Sequence, residues 1–386
     1  MPLRLLAARL AVLLLFALSA APAGAGEFTD SAGRIVVLPD HINRVMAADK
    51  SAEVLVYVLA PSKLLGWVEP VPGVRLPKTV ARLPVLGAID TPMGAAAAAR
   101  LRPDVIIDIS PVTPERAALA DQIQQATGTP YLVLDGSLAR IPRMLRVVGL
   151  LLDVADRGED IAGSAEHAIN ALRGRLLIEP GTGRPRVYYG RGPTGMTTVV
   201  PGTRVAESIE NAGAINVAAM LDPAQGGIAT RQQLLEWNPD VIIAQRESFY
   251  RALLHDAAWR GLKAVRDKHV YLEPSMPFGW IDDPPGVNRL IGLYWLSVIL
   301  YPAEAQDDVR QLAQDLADKF YGIKLTDAQI AAMAKTAGIP ESDTPHLADL
   351  PLGGTGLAPS ATPPGRGGPL PELPTSPTTP SYQMPR

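Results

Sequence analysis

Arg102-Pro103-Asp104-Val105-Ile106-Ile107 returns as Asn238-Pro239-Asp240-Val241-Ile242-Ile243, and the repetition decides how the chain folds. Each copy is a short β-branched run of the kind that forms a strand buried on both faces. Each follows an amphipathic stretch, Met93 to Leu101 before the first and Thr230 to Trp237 before the second. Each is followed by a helical run, Pro114 to Thr127 and Phe249 to Val265, and then by another apolar strand, Tyr131 to Leu134 and Val270 to Leu272. Helices alternating with β-branched strands specify parallel sheets covered on both faces. Finding the unit twice predicts two similar α/β lobes rather than one large sheet.

Outward from the repeats, the first lobe opens with a strand at Arg44 to Ala48, a helix at Ser51 to Leu59 and a strand at Leu64 to Trp67. The second opens at Arg186-Val187-Tyr188-Tyr189. Between them, Ile141 to Leu177 has no proline after Pro142, and Ile161, Ala165, Ala168, Ile169, Leu172 and Leu176 make one apolar helical stripe. This predicts a long connecting helix, a stiff strut, with the ligand cleft between the lobes at the carboxyl ends of their strands. The expected organisation is residues 26–138 for the N-terminal lobe, 139–180 for the connecting helix and 181–340 for the C-terminal lobe with terminal helices.

At the ends the composition changes. Arg4 and Arg9, the apolar run Leu10 to Ala20 and the small residues Ala21-Pro22-Ala23-Gly24-Ala25 read as a cleavable secretory signal over residues 1–25. The apolar run is too short for a membrane anchor. A soluble periplasmic protein is the expectation. Residues 341–386, rich in Pro, Gly, Thr and Ser, read as a disordered Pro-rich tail because they cannot bury enough apolar surface to offset ordering entropy.

Net charge −3 over 386 residues gives no positive field for nucleic acid. With no cysteine there is no disulfide, thiolate metal site or lipid-modified Cys. The histidines His41, His167, His255, His269 and His346 show no close pair, so no metal ligation by side chains and no bound cofactor are expected. Gly190-Arg191-Gly192-Pro193-Thr194-Gly195 is a literal G-x-G-x-x-G, but a β-branched run and the Pro201-Gly202 turn follow it where a dinucleotide site needs a helix. A hairpin-like loop at the cleft edge is predicted instead. No Gly-x-Ser-x-Gly elbow, His-Glu-x-x-His pair or phosphate loop occurs, and Ser110, Ser248 and Ser275 have no suitably placed His. A periplasmic enzyme acting on a small ligand is the competing class; a non-enzymatic binding protein is preferred.

The order of motifs carries a resemblance. Pro-Asp-Val-Ile-Ile, then Val187-Tyr188-Tyr189-Gly190-Arg191-Gly192, then Ala212-Gly213-Ala214-Ile215-Asn216-Val217-Ala218 resembles periplasmic binding proteins for ferric siderophores and cobalamin. The stretch Pro277-Phe278-Gly279-Trp280-Ile281-Asp282, with Pro284-Pro285-Gly286-Val287-Asn288-Arg289-Leu290, resembles a branch of that family linked to metal chelates and oxyanions. The resemblance spans roughly Phe28 to Pro340. It implies two Rossmann-like lobes, a rigid connecting helix and a monomer that delivers a small-molecule metal chelate to an inner-membrane ABC transporter permease. Ferric siderophore is the expected solute, with cobalamin, a nickel chelate or a molybdate-like oxyanion as alternatives. It also implies transporter docking through one glutamate per lobe, Glu115 and Glu207, with Glu210 as the substitute in the second lobe.

Ligand contacts are expected at strand ends. Asp49 and Lys50 follow the first strand, Trp67 the second, and Met93 precedes the first repeat. Tyr189 and Arg191 end the first strand of the second lobe, Gln245 and Arg246 its repeat strand, and Phe278 and Trp280 lie beyond its last. Arginine offers a planar fork to ligand oxygens and aromatic faces cover apolar parts. Arg191, flanked by glycines, is the leading ligand residue.

Overall fold

The Pro-Asp repeats adopt the same local structure twice. In this computed structural model, which describes residues 26–71, 76–178, 183–222, 226–301 and 309–339, each is preceded by a helix that ends on a left-handed residue, Arg102 (φ 46°) or Asn238 (φ 41°). The aspartate then pins the neighbouring strand. Asp104 accepts from the amides of Asn43 and Arg44 at 2.8 Å each, and Asp240 accepts from the amide of Arg186 at 2.9 Å. Arg44 and Arg186 in turn donate to the last turn of the preceding helix, at Leu101 and Trp237. A loop that satisfies its own backbone groups this way fixes helix to sheet.

In chain order the elements are β1 (Gly26–Thr29), β2 (Ile35–Leu38), β3 (Val45–Ala47), α1 (Lys50–Leu59), α2 (Lys78–Ala81), α3 (Pro92–Leu101), β4 (Val105–Asp108), α4 (Pro114–Thr127), β5 (Tyr131–Val133), α5 (Ile141–Leu151) and α6 (Ala155–Ile178). The second half comprises β6 (Arg186–Gly190), α7 (Arg204–Asn211), β7 (Ile215–Asn216), α8 (Arg231–Trp237), β8 (Val241–Ala244), α9 (Glu247–His255), α10 (Lys263–Arg266), β9 (Val270–Leu272), α11 (Arg289–Leu300), α12 (Val309–Tyr321) and α13 (Asp327–Ala337). An antiparallel pair β1-β2 leads the chain. Two parallel sheets follow, β3-β4-β5 and β7-β6-β8-β9. Every residue of β4 and β8 is buried, as strands covered on both faces require. The fold is α/β with two similar lobes.

Three details differ from the sequence reading. The segment read as one strut from Ile141 to Leu177 is two helices, α5 and α6, broken at Leu152-Asp153-Val154, where Asp153 has φ 55°. They pack back to back where Gly149 and Gly158 meet: a Cβ on Gly149 would lie 2.8 Å from the Cα of Gly158. Arg146 on α5 clamps Glu159 and Glu166 of α6 at 2.7 and 2.6 Å. The connecting helix is therefore α6 alone, 24 residues long, and its stripe residues Ile161, Ala165 and Ala168 are buried. The helix expected over Phe249 to Val265 is likewise interrupted after α9, because Asp256 caps a new turn by accepting from the amide of Ala258. Finally, Leu64 to Trp67 makes only single bridges, Val45 to Leu64 and Trp67 to Val85. A Cβ on Gly66 would sit 2.5 Å from the carbonyl of Pro84, so the backbones are too close for a regular strand with side chains.

The glycine motif after β6 forms the hairpin-like loop that its sequence context implied. Arg191 N donates to Thr197 O at 2.6 Å and Thr198 N to Gly227 O at 2.7 Å. A Cβ on Gly195 would lie 2.2 Å from the ring of Phe249, so this glycine makes room for a core aromatic. The signal expected over residues 1–25 and the Pro-rich tail expected over residues 341–386 lie outside the described residues.

The lobes are tied together by one buried and two half-buried arginines. Arg289, at the start of α11, is fully buried and donates to the carbonyl of Gly136 in the first lobe, to Arg204 O at 2.8 Å and to Glu207 Oε2 at 2.9 Å. Glu207 also accepts from the amide of Leu138 at 2.9 Å. Arg204 reaches the carbonyl of Ile109 in the first lobe. Arg157 on α6 donates to the carbonyls of Val58 on α1 and of Lys319 and Phe320 on α12. Strut, first lobe and terminal helices are thus one hydrogen-bonded body.

Candidate functional site

The end of β3 delivers Asp49 and Lys50 to the N-terminus of α1, where Asp49 caps the helix by accepting from Ser51 N and Ala52 N at 2.7 and 3.1 Å. Lys50 then begins the helix and Glu53 lies one turn on. In the second lobe the end of β8 delivers Gln245 and Arg246, and the end of β9 delivers Glu273 and the loop that carries Phe278, Asp282 and Asp283. These groups other than Asp49, with Glu69, Pro70, Val71, Ser275, Pro277, Gly279 and Pro284, line a cleft of about 310 Å3. Its walls are therefore the carboxyl ends of parallel strands from both lobes, where an open α/β sheet binds its ligand.

Two cations from opposite lobes meet there on one carboxylate. Lys50 Nζ lies 3.1 Å from Asp283 Oδ1 and Arg246 Nη2 lies 2.7 Å from Asp283 Oδ2. Lys50 also holds Glu69 at 2.8 Å. Burial pushes Asp283 up, but Lys50 and Arg246 more than offset it and its carboxyl lies below the usual range. A carboxylate held by a lysine and an arginine from two lobes shows that one anionic group fits between them.

Beneath this pair lies a layer of buried carboxyls. Glu273 accepts from the hydroxyl of Tyr189 and from the amides of Ile281 and Asp282 at 2.7 and 2.8 Å. Complete burial and then the charge of Asp282 push it up to about 8 despite these donors. Asp282 is held at 2.7 Å by Arg191 Nε and at 3.0 Å by Gln245 Nε2. Glu53, on the other wall, accepts from the amide of Val68 and is pushed up to about 8, chiefly by burial.

The structure places the sequence candidates as follows. Lys50, Gln245, Arg246 and Phe278 line the cleft. Arg191 sits beside it, paired with Asp282. Tyr189 is buried under Glu273. Trp67 is buried behind Phe278, ring centroids 6.5 Å apart, and donates from Nε1 to Val80 O at 2.9 Å. Trp280 is 1% exposed and packs edge-on against Trp295. Met93, 53% exposed in the first turn of α3, is not among the lining residues. Glu115 is exposed in the first turn of α4, whereas the carboxylate of Glu207 is engaged by Arg289 and Leu138. Sequence reasoning missed Glu53, Glu69, Glu273 and Asp283. The signal for Glu273 and Asp283 was present, an acidic residue directly after a strand and an Asp-Asp pair in a proline-rich loop. Among the described residues no cluster of three or more His, Asp or Glu is placed to hold a metal ion.

Two α/β lobes, a helical strut and an interlobe cleft lined from strand ends define a two-lobed solute-binding protein. The profile of the family described as periplasmic binding protein matches residues 97–277, and the two-lobed fold is similar to that family's. An ABC transporter solute-binding protein from Sulfurospirillum deleyianum is 26% identical, with a TM-score of 0.73 over 80% of this chain and 99% of that one. The molybdate-binding protein MolA of Haemophilus influenzae is 26% identical over 321 residues, 76% of this chain and 90% of that protein. Its molybdate-bound structure superimposes with a TM-score of 0.65 at 23% identity, over 78% of this chain and 99% of that one.

Proposed function

We propose that this protein is the periplasmic solute-binding component of an ABC importer, and that its solute is a compact, oxygen-rich anion. The observation that carries the solute class is the convergence of Lys50 and Arg246, one from each lobe, on a single carboxylate at the cleft. A ligand carboxylate, hydroxamate or oxyanion oxygen replaces or joins Asp283 between them. Charge-assisted hydrogen bonds from both lobes then hold the ligand across the gap.

Within that class, a metal chelate such as a ferric siderophore is the first reading. A cleft of about 310 Å3 holds on the order of ten waters at ~30 Å3 each, more than one small tetrahedral ion needs. Phe278, Pro277, Pro70 and Val71 give it an apolar wall suited to an organic scaffold. The second reading is a molybdate-like oxyanion, favoured by the likeness to a molybdate-binding protein. The ligand is bound and released unchanged, consistent with relatives that are transport proteins.

Delivery to the permease would use exposed carboxylates on both lobes. Glu115 fits this role, since its own helix N-terminus keeps it ionised. In the second lobe the outer face of α7 offers Glu210, because Glu207 is spent on the interlobe contact.

Calorimetric titration with molybdate, a ferric tricatecholate and cobalamin tests the reading. One of the two anionic probes should bind with one-to-one stoichiometry and leave chemically unchanged. Binding of cobalamin alone, or of none of the three, would overturn the solute class.

A further inference from the structure

Resting on the anion reading above, we propose that Glu53 is a specificity-determining residue of the cleft. It works as a neutral carboxylic acid that donates its proton to an oxygen of the bound anion. Its placement is the primary observation. Glu53 lines the cleft yet is only 4% exposed, and it has no cation of its own. Lys50, one turn back on α1, is turned to Glu69 and Asp283. One carboxyl oxygen, Oε2, accepts from the amide of Val68, while among the described residues Oε1 has no hydrogen-bond partner. With Oε2 anchored on an amide, the proton belongs on Oε1, which is free to donate to an oxygen of a ligand in the cleft that Glu53 lines.

The surroundings keep the proton on. Burial is the largest influence, and Asp49 and Glu69 add to it, against the Val68 amide and the Lys50 charge. The titratable groups that line the opposite wall are Arg246, Asp282 and Asp283, with Glu273 itself pushed up to about 8 by burial. Glu273 differs in kind, because both its oxygens already accept hydrogen bonds from Tyr189, Ile281 and Asp282. It has no free face to offer a ligand. A neutral Glu53 adds a donor to the cleft without adding charge, so it favours ligand oxygens that only accept. An ionised Glu53 would instead repel the same anion.

Ligand binding should therefore be linked to one proton. If only the protonated form binds, the dissociation constant scales with one plus the ratio of ionised to protonated Glu53, weakening about tenfold from pH 7 to pH 9 for a group that titrates near 8. Molybdate and a ferric tricatecholate both keep a fixed negative charge over this range, and either serves as the probe in the full chain. Glu53→Gln keeps the geometry, with its carbonyl on Val68 N–H and its amide N–H toward the cleft. Its affinity at pH 7 should lie within about threefold of the parent and stay flat to pH 9. Melting temperature without probe verifies that the variant is folded. An affinity in the parent that does not change with pH would show that no proton is linked to binding and would overturn the inference; a tenfold decline kept by Glu53→Gln would also overturn it and assign the titration to another group such as Glu273. If neither probe binds at any pH, the anion reading fails and the inference falls with it.

Discussion

Replacing Arg289 with alanine should loosen the two lobes from each other. The side chain is fully buried, and burial pulls its pKa down to about 10 in spite of Glu207. Its removal strips hydrogen bonds from the carbonyls of Gly136, Arg204 and Gly286 and leaves Glu207 facing the void with only the Leu138 amide. Breaking one partner of a buried ion pair typically costs about 3–5 kcal/mol, because the other charge and its neighbours stay desolvated. At about 1–2 °C per kcal/mol for a chain of this size, the melting temperature should fall by about 3–10 °C. The assay is thermal unfolding followed by circular dichroism and calorimetry. Arg289→Lys should recover only part of the loss, since one ammonium cannot reach four acceptors in different directions. The double replacement Arg289→Met with Glu207→Leu should recover more, because it removes both charges. A melting temperature for Arg289→Ala within about 2 °C of the parent would refute the claim that this network joins the lobes.

Three further outcomes follow from the same geometry. Arg191→Ala leaves the buried Asp282 with only Gln245 and a backbone amide, so it should lower stability by about 1–2 kcal/mol after allowance for the arginine's 41% exposure; urea melts set against probe titrations separate this from the ligand-clamp role expected from the sequence, which predicts lost affinity at unchanged stability. Asp49, Glu53 and Glu273 have folded-state pKa values raised to about 6, 8 and 8, so the stability tied to their protons is present below the ordinary carboxylate range and is lost as pH climbs through these values. Asp108 and Asp283 are lowered and act oppositely, losing their contribution below about pH 4, so melting temperature should peak near about pH 5; a peak above pH 8 would contradict the carboxyl assignments. Glu115→Arg with Glu210→Arg should leave probe affinity intact and abolish transporter-stimulated ATP hydrolysis, and undiminished stimulation would remove these residues from the docking surface.

The fold was legible because its signals are local. The twin Pro-Asp runs, the β-branched strands and the helix caps each act within about ten residues, and the structure repeats them as written. The strut was misjudged where two helices share a periodic text. Only the contact of Gly149 with Gly158 and the left-handed Asp153 break it, and neither interrupts the apolar stripe. The site was half legible. Lys50, Gln245, Arg246 and Phe278 follow from the rule that ligands bind at strand ends. Trp67, Tyr189 and Trp280 obey the same rule but point into the lobes, because a side chain's direction at a strand end depends on packing that no local pattern records. Glu53 was invisible for a related reason. A carboxyl one turn into a helix is normally a solvated charge, and only the loop at Val68 that closes over it makes it an acid. Glu207 reads as a docking residue on the same local grounds, and the contact of its carboxylate with Arg289, 82 residues away, is likewise beyond any local pattern.

The central claim is that cations from the two lobes hold an anionic solute. The most direct test is a calorimetric titration of molybdate and of a ferric tricatecholate into the parent protein and into Lys50→Ala with Arg246→Ala at pH 7. The parent should bind one of them at a single site, and the double variant should bind it at least about 100-fold more weakly while keeping its fold. Equal affinity in the two proteins would contradict the account.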